Sequence, residues 1–164
     1  MNGLVRLLWI APVRRSEHFL FNLLEFRFFR DSERGVALPF GGLRFLSRFV
    51  WVPYVLAAEV IFFRTQRFFL KVKENVVGLV VFREESDRLF IVSLSVAKEY
   101  RRLGIATYFL CCAERLAARL GKEWLELSVL KGNVPAQRLY AKFGFRWKMT
   151  GRGSFILRKK VVLS

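Results

Sequence analysis

The stretch "EYRRLGIATYFL", residues 99–110, decides how the chain is read. A single glycine, Gly104, stands between an arginine pair and a long apolar run. The segment before it, "LFIVSLSV" at 89–96, is apolar on both faces early and alternates later, as a central strand does near a site. The segment after it, 105–120, spaces its apolar side chains as a helix does and stops at Gly121. Gly104 is therefore the hinge of a strand–turn–helix unit. Such a turn leaves the first four helix amides without internal partners. They carry about half a positive charge through the helix dipole, and phosphates bind well there. Gly104 allows close backbone approach, Ala106 keeps the next position small, and Arg101 and Arg102 add charge-assisted donors. The stretch is not a Walker loop, since no G-K-[ST] follows, nor the dinucleotide fingerprint G-x-G-x-x-G. Alone, it names no ligand.

The elements around it form an α/β pattern. Residues 67–84, "RFFLKVKENVVGLVVFRE", read as two strands around Glu74-Asn75. Residues 124–129, "WLELSV", alternate cleanly. Asn133 can cap a short helix over 134–143, with Pro135 tolerated in its first turn and Gly144 closing it. Residues 147–149 and 155–162 form a closing pair of strands. Toward the other end, 4–10 suit a first strand, and Ser16 caps a helix over 17–29. A Gly/Pro loop covers 31–43, and a second helical segment, bent by Pro53, covers 44–60. The order is β-α-α-β-β-β-α-β-α-β-β, without repeats or low-complexity linkers.

The bulk numbers fit one domain over residues 1–164. The chain is 54% hydrophobic and 26% charged, which excludes overall disorder. The adjacent Cys111 and Cys112 cannot build a disulfide framework and read as small buried fillers in a reducing compartment, the cytoplasm. No signal peptide stands out. The most apolar run, 49–63, is fifteen residues long and holds Pro53 and Glu59, which is short of the roughly 20 a bilayer requires. No transmembrane segment is expected. The net charge of +16 is concentrated late: residues 101–164 hold fourteen basic and three acidic side chains, a net +11. That field favours an anionic cofactor, an acidic partner, or a ribosome. The lone His18 and the two cysteines make no metal set.

A second motif gives the first its meaning. "NVPAQRLYAKFGF" at 133–145 follows R-x-x-G-x-A at 101–106, and the pair resembles the GCN5-related N-acetyltransferases. The resemblance covers residues 71–157 by motif and residues 1–70 by element order alone. It implies the acyl-CoA acyltransferase fold: a mixed, mostly antiparallel central sheet flanked by helices, with strands 89–96 and 124–129 splayed at the cofactor site. It divides the domain into a divergent acceptor side (1–70) and a cofactor-binding core (71–164). It implies acetyl-CoA as cofactor and an amine as acceptor. Amides of Arg102, Leu103, Gly104, Ile105, Ala106 and Thr107, with Arg101 beside them, would hold the pyrophosphate. Backbone groups of Leu94, Ser95 and Val96 would pair with the pantetheine arm as an added strand. Asn133 would face that arm, and Tyr140 would point its hydroxyl at the thioester sulfur. A phenol can give a departing thiolate its proton, and a backbone N–H near Val96 can hold the oxyanion.

The chain departs from the pattern at the base. Some protein N-terminal acetyltransferases of the family carry a tyrosine and a histidine at positions matching Phe90 and Ser128. Other members carry a glutamate at the position matching Ser128, and neither residue here titrates near neutrality. Glu126, two residues before Ser128 on the same strand face, is the best candidate. Glu84, Glu85 and Glu99 stand behind it, and a water chain is an alternative. The leading expectation is an acetyl-CoA-dependent N-acetyltransferase acting by direct transfer on a primary amine. The alternatives are a basic RNA- or ribosome-associated module that keeps the fold without the reaction, and a membrane-surface protein using the Phe-rich first half. The aromatic surplus suggests a homodimer.

Overall fold

The computed structural model describes residues 8–17, 20, 24 and 65–162. The helices expected over 17–29 and 44–60, the loop 31–43, the apolar run 49–63 and His18 lie outside those residues, apart from Glu17, Leu20 and Leu24. Among the described residues, seven strands form one mixed sheet in the order β1-β2-β3-β4-β5-β7-β6. They are β1 (Leu8–Pro12), β2 (Thr65–Val72), β3 (Asn75–Glu84), β4 (Arg88–Val96), β5 (Trp124–Leu130), β6 (Arg146–Thr150) and β7 (Ser154–Lys160). Helix α1 (Ile105–Arg119) links β4 to β5, and α2 (Val134–Phe143) follows β5. The first strand runs to Pro12, two residues past the end expected from the sequence.

Every strand pair is antiparallel except β4–β5, which is parallel. A parallel pair needs a crossover, and α1 supplies it. Its inner stripe is Ile105, Phe109, Leu110, Ala113 and Ala117. The two alanines let the helix lie close to the sheet, and Phe109 stacks on Phe82 of β3 with centroids 5.4 Å apart. Burial of each such large side chain stabilises the fold by about 2 kcal/mol. Lys159 of β7 reaches Glu114 of α1 at 2.7 Å and ties the helix across the sheet. Cys111 is exposed and Cys112 half-buried, so the expectation of buried fillers is corrected. Consecutive helix positions lie about 100° apart, and Leu110 and Ala113 already take the inward directions.

The two sheet faces are read from β4. Leu89 and Ile91 enter the α1-side core, and so do Leu94 and Val96, a step of three where strand alternation gives two. The extra residue is Val92: Val81 pairs with Ser93, and the next residue, Phe82, pairs with Ile91. Val92 packs on the opposite face with Phe69, Leu79 and Val81. This bulge rephases the end of β4.

Gly78 of β3 stands opposite that rephased end, paired with Val96. A Cβ placed there would lie 2.8 Å from the Ser95 carbonyl oxygen and 2.8 Å from Leu70 Cδ1. The leucine tip can move, whereas the carbonyl belongs to the ladder. Gly78→Ala should cost about 1–3 kcal/mol in urea unfolding. A variant as stable as the parent would contradict this packing.

Candidate active site

Because β4 and β5 are parallel, their carboxyl ends lie at one end of the sheet. The helices that follow each strand start there, as at other crevices of α/β sheets. The strands are zipped only over Arg88–Ile91 and Trp124–Leu127. Beyond Ile91 the pairing stops, and the remainder of β4 and of β5 diverge. The splay expected from the resemblance is thus a register fact, and it begins at the bulge residue Val92.

The turn after β4 carries the first motif. Residues Lys98–Tyr100 form a 3-10 turn, Arg102 has φ of 65° and Gly104 a φ of 83°. The first helical bond is donated by Tyr108 N to Gly104 O at 2.9 Å. Among the described residues the amides of Arg102, Leu103, Gly104, Ile105, Ala106 and Thr107 have no acceptor. Such a run of free N–H groups at a helix start, with Arg102 and Gly104 at positive φ, has the geometry of an anion nest. The space beside it is open, because a Cβ on Gly104 would meet nothing within 4 Å. Arg101 donates from Nε to Val96 O at 3.0 Å and so clamps the turn to the strand, while Arg102 is exposed.

The open edge of β4 has a definite polarity. Ala97 N donates to Val77 O at 2.9 Å, so the Ala97–Val77 pair is a hydrogen-bonded one. Alternation makes Ser95 the next residue bonded to β3 and turns the N–H and C=O of Leu94 and Val96 toward the gap. The Val96 carbonyl, met by Arg101, agrees with this direction.

On α2, Asn133 caps the helix by accepting from Ala136 N at 3.3 Å on Oδ1. Tyr140 is 8% exposed and joins the α1-side core that Leu94 and Val96 border. Its ring meets Phe145 edge-on at 5.7 Å. Burial pushes its phenol up to about 12, so the hydroxyl keeps its proton across the neutral range.

Glu126 lies on the other face, opposite Phe90 in the zipped segment. Its carboxylate is 5% exposed and committed: Lys148 of β6 donates to Oε2 at 2.7 Å, and Arg88 Nε lies 3.8 Å from Oε1. It is the only carboxylate on β4, β5, β6 and β7. Glu84 pairs with Lys122 at 2.8 Å, and Glu85 with Arg83 and Arg88. Both sit at the β3–β4 hairpin, the end of the sheet away from the split. Ser128 and Glu99 are exposed. Lys148 and Arg88 were not singled out from sequence. They meet Glu126 through cross-strand pairing, and no local pattern announces that contact.

Among the described residues no helix is long and apolar enough to cross a membrane, and no group of His, Cys, Asp and Glu could hold a metal. Comparison with known proteins adds the family. The GNAT acetyltransferase family model matches residues 42–145. GCN5-related N-acetyltransferase 6, chloroplastic, from Arabidopsis thaliana is 42% identical over 71 residues, 43% of this chain and 25% of the relative. The aligned part thus spans about a quarter of that protein's length. Among solved structures, the PaiA N-acetyltransferase from Thermoplasma acidophilum, in complex with coenzyme A, superposes with TM-score 0.76. It is 16% identical, with 93% of this chain and 98% of that one covered. The ribosomal-protein-S18-alanine N-acetyltransferase of Escherichia coli superposes with TM-score 0.67 at 16% identity, covering 96% of each chain. At such identity the superpositions speak for the fold. With the split sheet, the nest and the family match together, the chain belongs to the GNAT family of acetyltransferases.

Proposed function

We propose that this chain moves an acetyl group from acetyl-CoA to the nitrogen of a primary amine by direct attack, without an acyl-enzyme. The observation that carries the proposal is the split between β4 and β5, with six free amides in the turn after β4. When bound, acetyl-CoA supplies an acetyl group activated as a thioester. The amides from Arg102 to Thr107 hold the pyrophosphate, Arg101 fixes the turn, and Arg102 adds charge. Leu94 and Val96 offer an unpaired strand edge to the pantetheine arm, with Ser95 between them bonded to β3. Asn133 spends its carboxamide oxygen on the helix cap and keeps its N–H groups for the arm. The Val96 amide faces the gap as the donor for developing negative charge on oxygen.

Tyr140 holds a proton at its phenolic oxygen for the departing sulfur. The C–N bond forms as the C–S bond breaks, the sulfur leaves as a thiol with the Tyr140 proton, and the amine's proton passes into a chain of water. Glu126 accepts that proton through water, since its own oxygens face Lys148 and Arg88. Direct transfer is also favoured by the cysteines. Burial pushes the Cys112 thiol up, against the opposing pull of the Tyr108 hydroxyl and Arg115, and Cys111 is exposed on the outer face of α1. A thiol held protonated is a poor nucleophile.

Tyr140→Phe should lower kcat about 100-fold while acetyl-CoA affinity, read by calorimetry, stays within about twofold. Because the phenol is raised, the wild-type rate should show no Tyr140 limb as pH climbs through the ordinary tyrosine value near 10. An unchanged kcat in the phenylalanine variant would remove Tyr140 from the chemistry. Glu126→Gln should lower kcat roughly tenfold while acetyl-CoA affinity holds. A variant with lower stability but an unaltered kcat would mean that Glu126 serves only to bind Lys148.

A further inference from the structure

The sheet face opposite α1 is strongly cationic beside the split. On β5, β6 and β7 this face presents Lys148, Arg146, Arg158 and Lys160, and Glu126 is the one carboxylate among them, already paired with Lys148. The register makes the imbalance sharper. Arg146 stands directly opposite Arg158 across the β6–β7 ladder. Like charges in that relation destabilise a hairpin. Arg158 sets its guanidinium over the Trp124 ring, 4.2 Å from the centroid, while the ion-pair partners of Glu126 opposite it are Lys148 and Arg88. Arg146 is exposed and makes no ion pair or hydrogen bond among the described residues. All five residues of the edge strand β6 are exposed, Met149 by 56%. A fold that opposes two arginines beside a neutralised carboxylate accepts a cost that an anion on this face would relieve.

The face lies within reach of the reaction. Glu126 is opposite Phe90, two residues before the split opens, and Arg158 is opposite Glu126. At about 3.3 Å per residue, these cations sit one to three residues of extended chain from an amine held in the split. Building on the acetyl-transfer reading above, we propose that the acceptor is an acidic peptide. Its amine enters the split, and carboxylates on the residues just after the amine dock on Arg146, Arg158 and Lys148. The cations select by recognition alone and take no part in the bond changes.

The test uses the full chain and three peptides with a free α-amine, alike except that residues two to four are acidic, neutral or basic. Turnover is followed as free thiol, and binding by fluorescence anisotropy of the same peptides labelled at the carboxyl end. At low salt kcat/KM and affinity should both rank acidic over neutral over basic. Each step should be roughly tenfold, carried by KM, and should shrink strongly near 0.5 M salt. Arg146→Glu should shrink or invert the ranking, with acetyl-CoA still raising the melting temperature as proof of an intact fold. Equal binding of the three peptides overturns the inference. So does a uridine oligomer whose binding is lost in Arg146→Glu while the peptides go unranked, which would make this a nucleic-acid surface. Absence of thiol release together with absence of an acetyl-CoA shift would instead strike the acetyl-transfer reading, and the anisotropy ranking would still decide the charge preference.

Discussion

The pairing of β4 with β5 satisfies four residues on each strand and then fails, and the rest of the site follows from that failure. The cause is local: Val92 is one residue too many against β3, and beyond it the strand is rephased. From that point Leu94 and Val96 keep their apolar side chains in the α1-side core while their backbone groups turn to an unpaired edge. An unpaired edge inside a sheet is costly unless something pairs with it. The same parallel geometry brings the start of α1 and the start of α2 to the mouth of the gap. Backbone donors, an anion nest and a buried phenol are thus gathered by topology, with few dedicated side chains.

Charge divides the two sides of the sheet. On the α1 side the polar elements are mostly backbone amides and one protonated phenol, suited to a long, partly anionic cofactor. On the opposite side the elements are long cations around one buried carboxylate. Lys148 and Glu126 form an ion pair in which each partner makes the burial of the other tolerable. That pairing leaves the face positive, and it leaves no free carboxylate beside the split among the described residues.

What could be read from the sequence was what chain-local physics determines. Gly104 and Gly144 end or begin helices at positive φ, Asn133 caps α2 three residues before Ala136, and the α1 stripe follows the helical period. These features need only near neighbours, and their positions agree with the reading to within a residue or two. Tyr140 stands out through the motif at 133–145 that carries the family resemblance, and its inward place on α2 follows from the helical period. The bulge at Val92 was not legible, since nothing in "LFIVSLSV" distinguishes one apolar residue as surplus; the surplus exists only against the register of β3. The sequence offers Glu126 as a base candidate but not its ion pair, because Lys148 is 22 residues away and arrives through β7. The opposed Arg146 and Arg158 were hidden for the same reason: register is a property of two strands.

The central claim is that the open edge of β4 and the turn after it form one backbone cradle for acetyl-CoA. Amide hydrogen exchange resolved by residue tests it directly, comparing the free protein with the protein saturated with acetyl-CoA. Protection should rise at Leu94, Val96 and the run from Arg102 to Thr107, and should change little at Ser95, whose N–H is already spent on β3. Protection that appears elsewhere, or that leaves these amides as they were, would contradict the account.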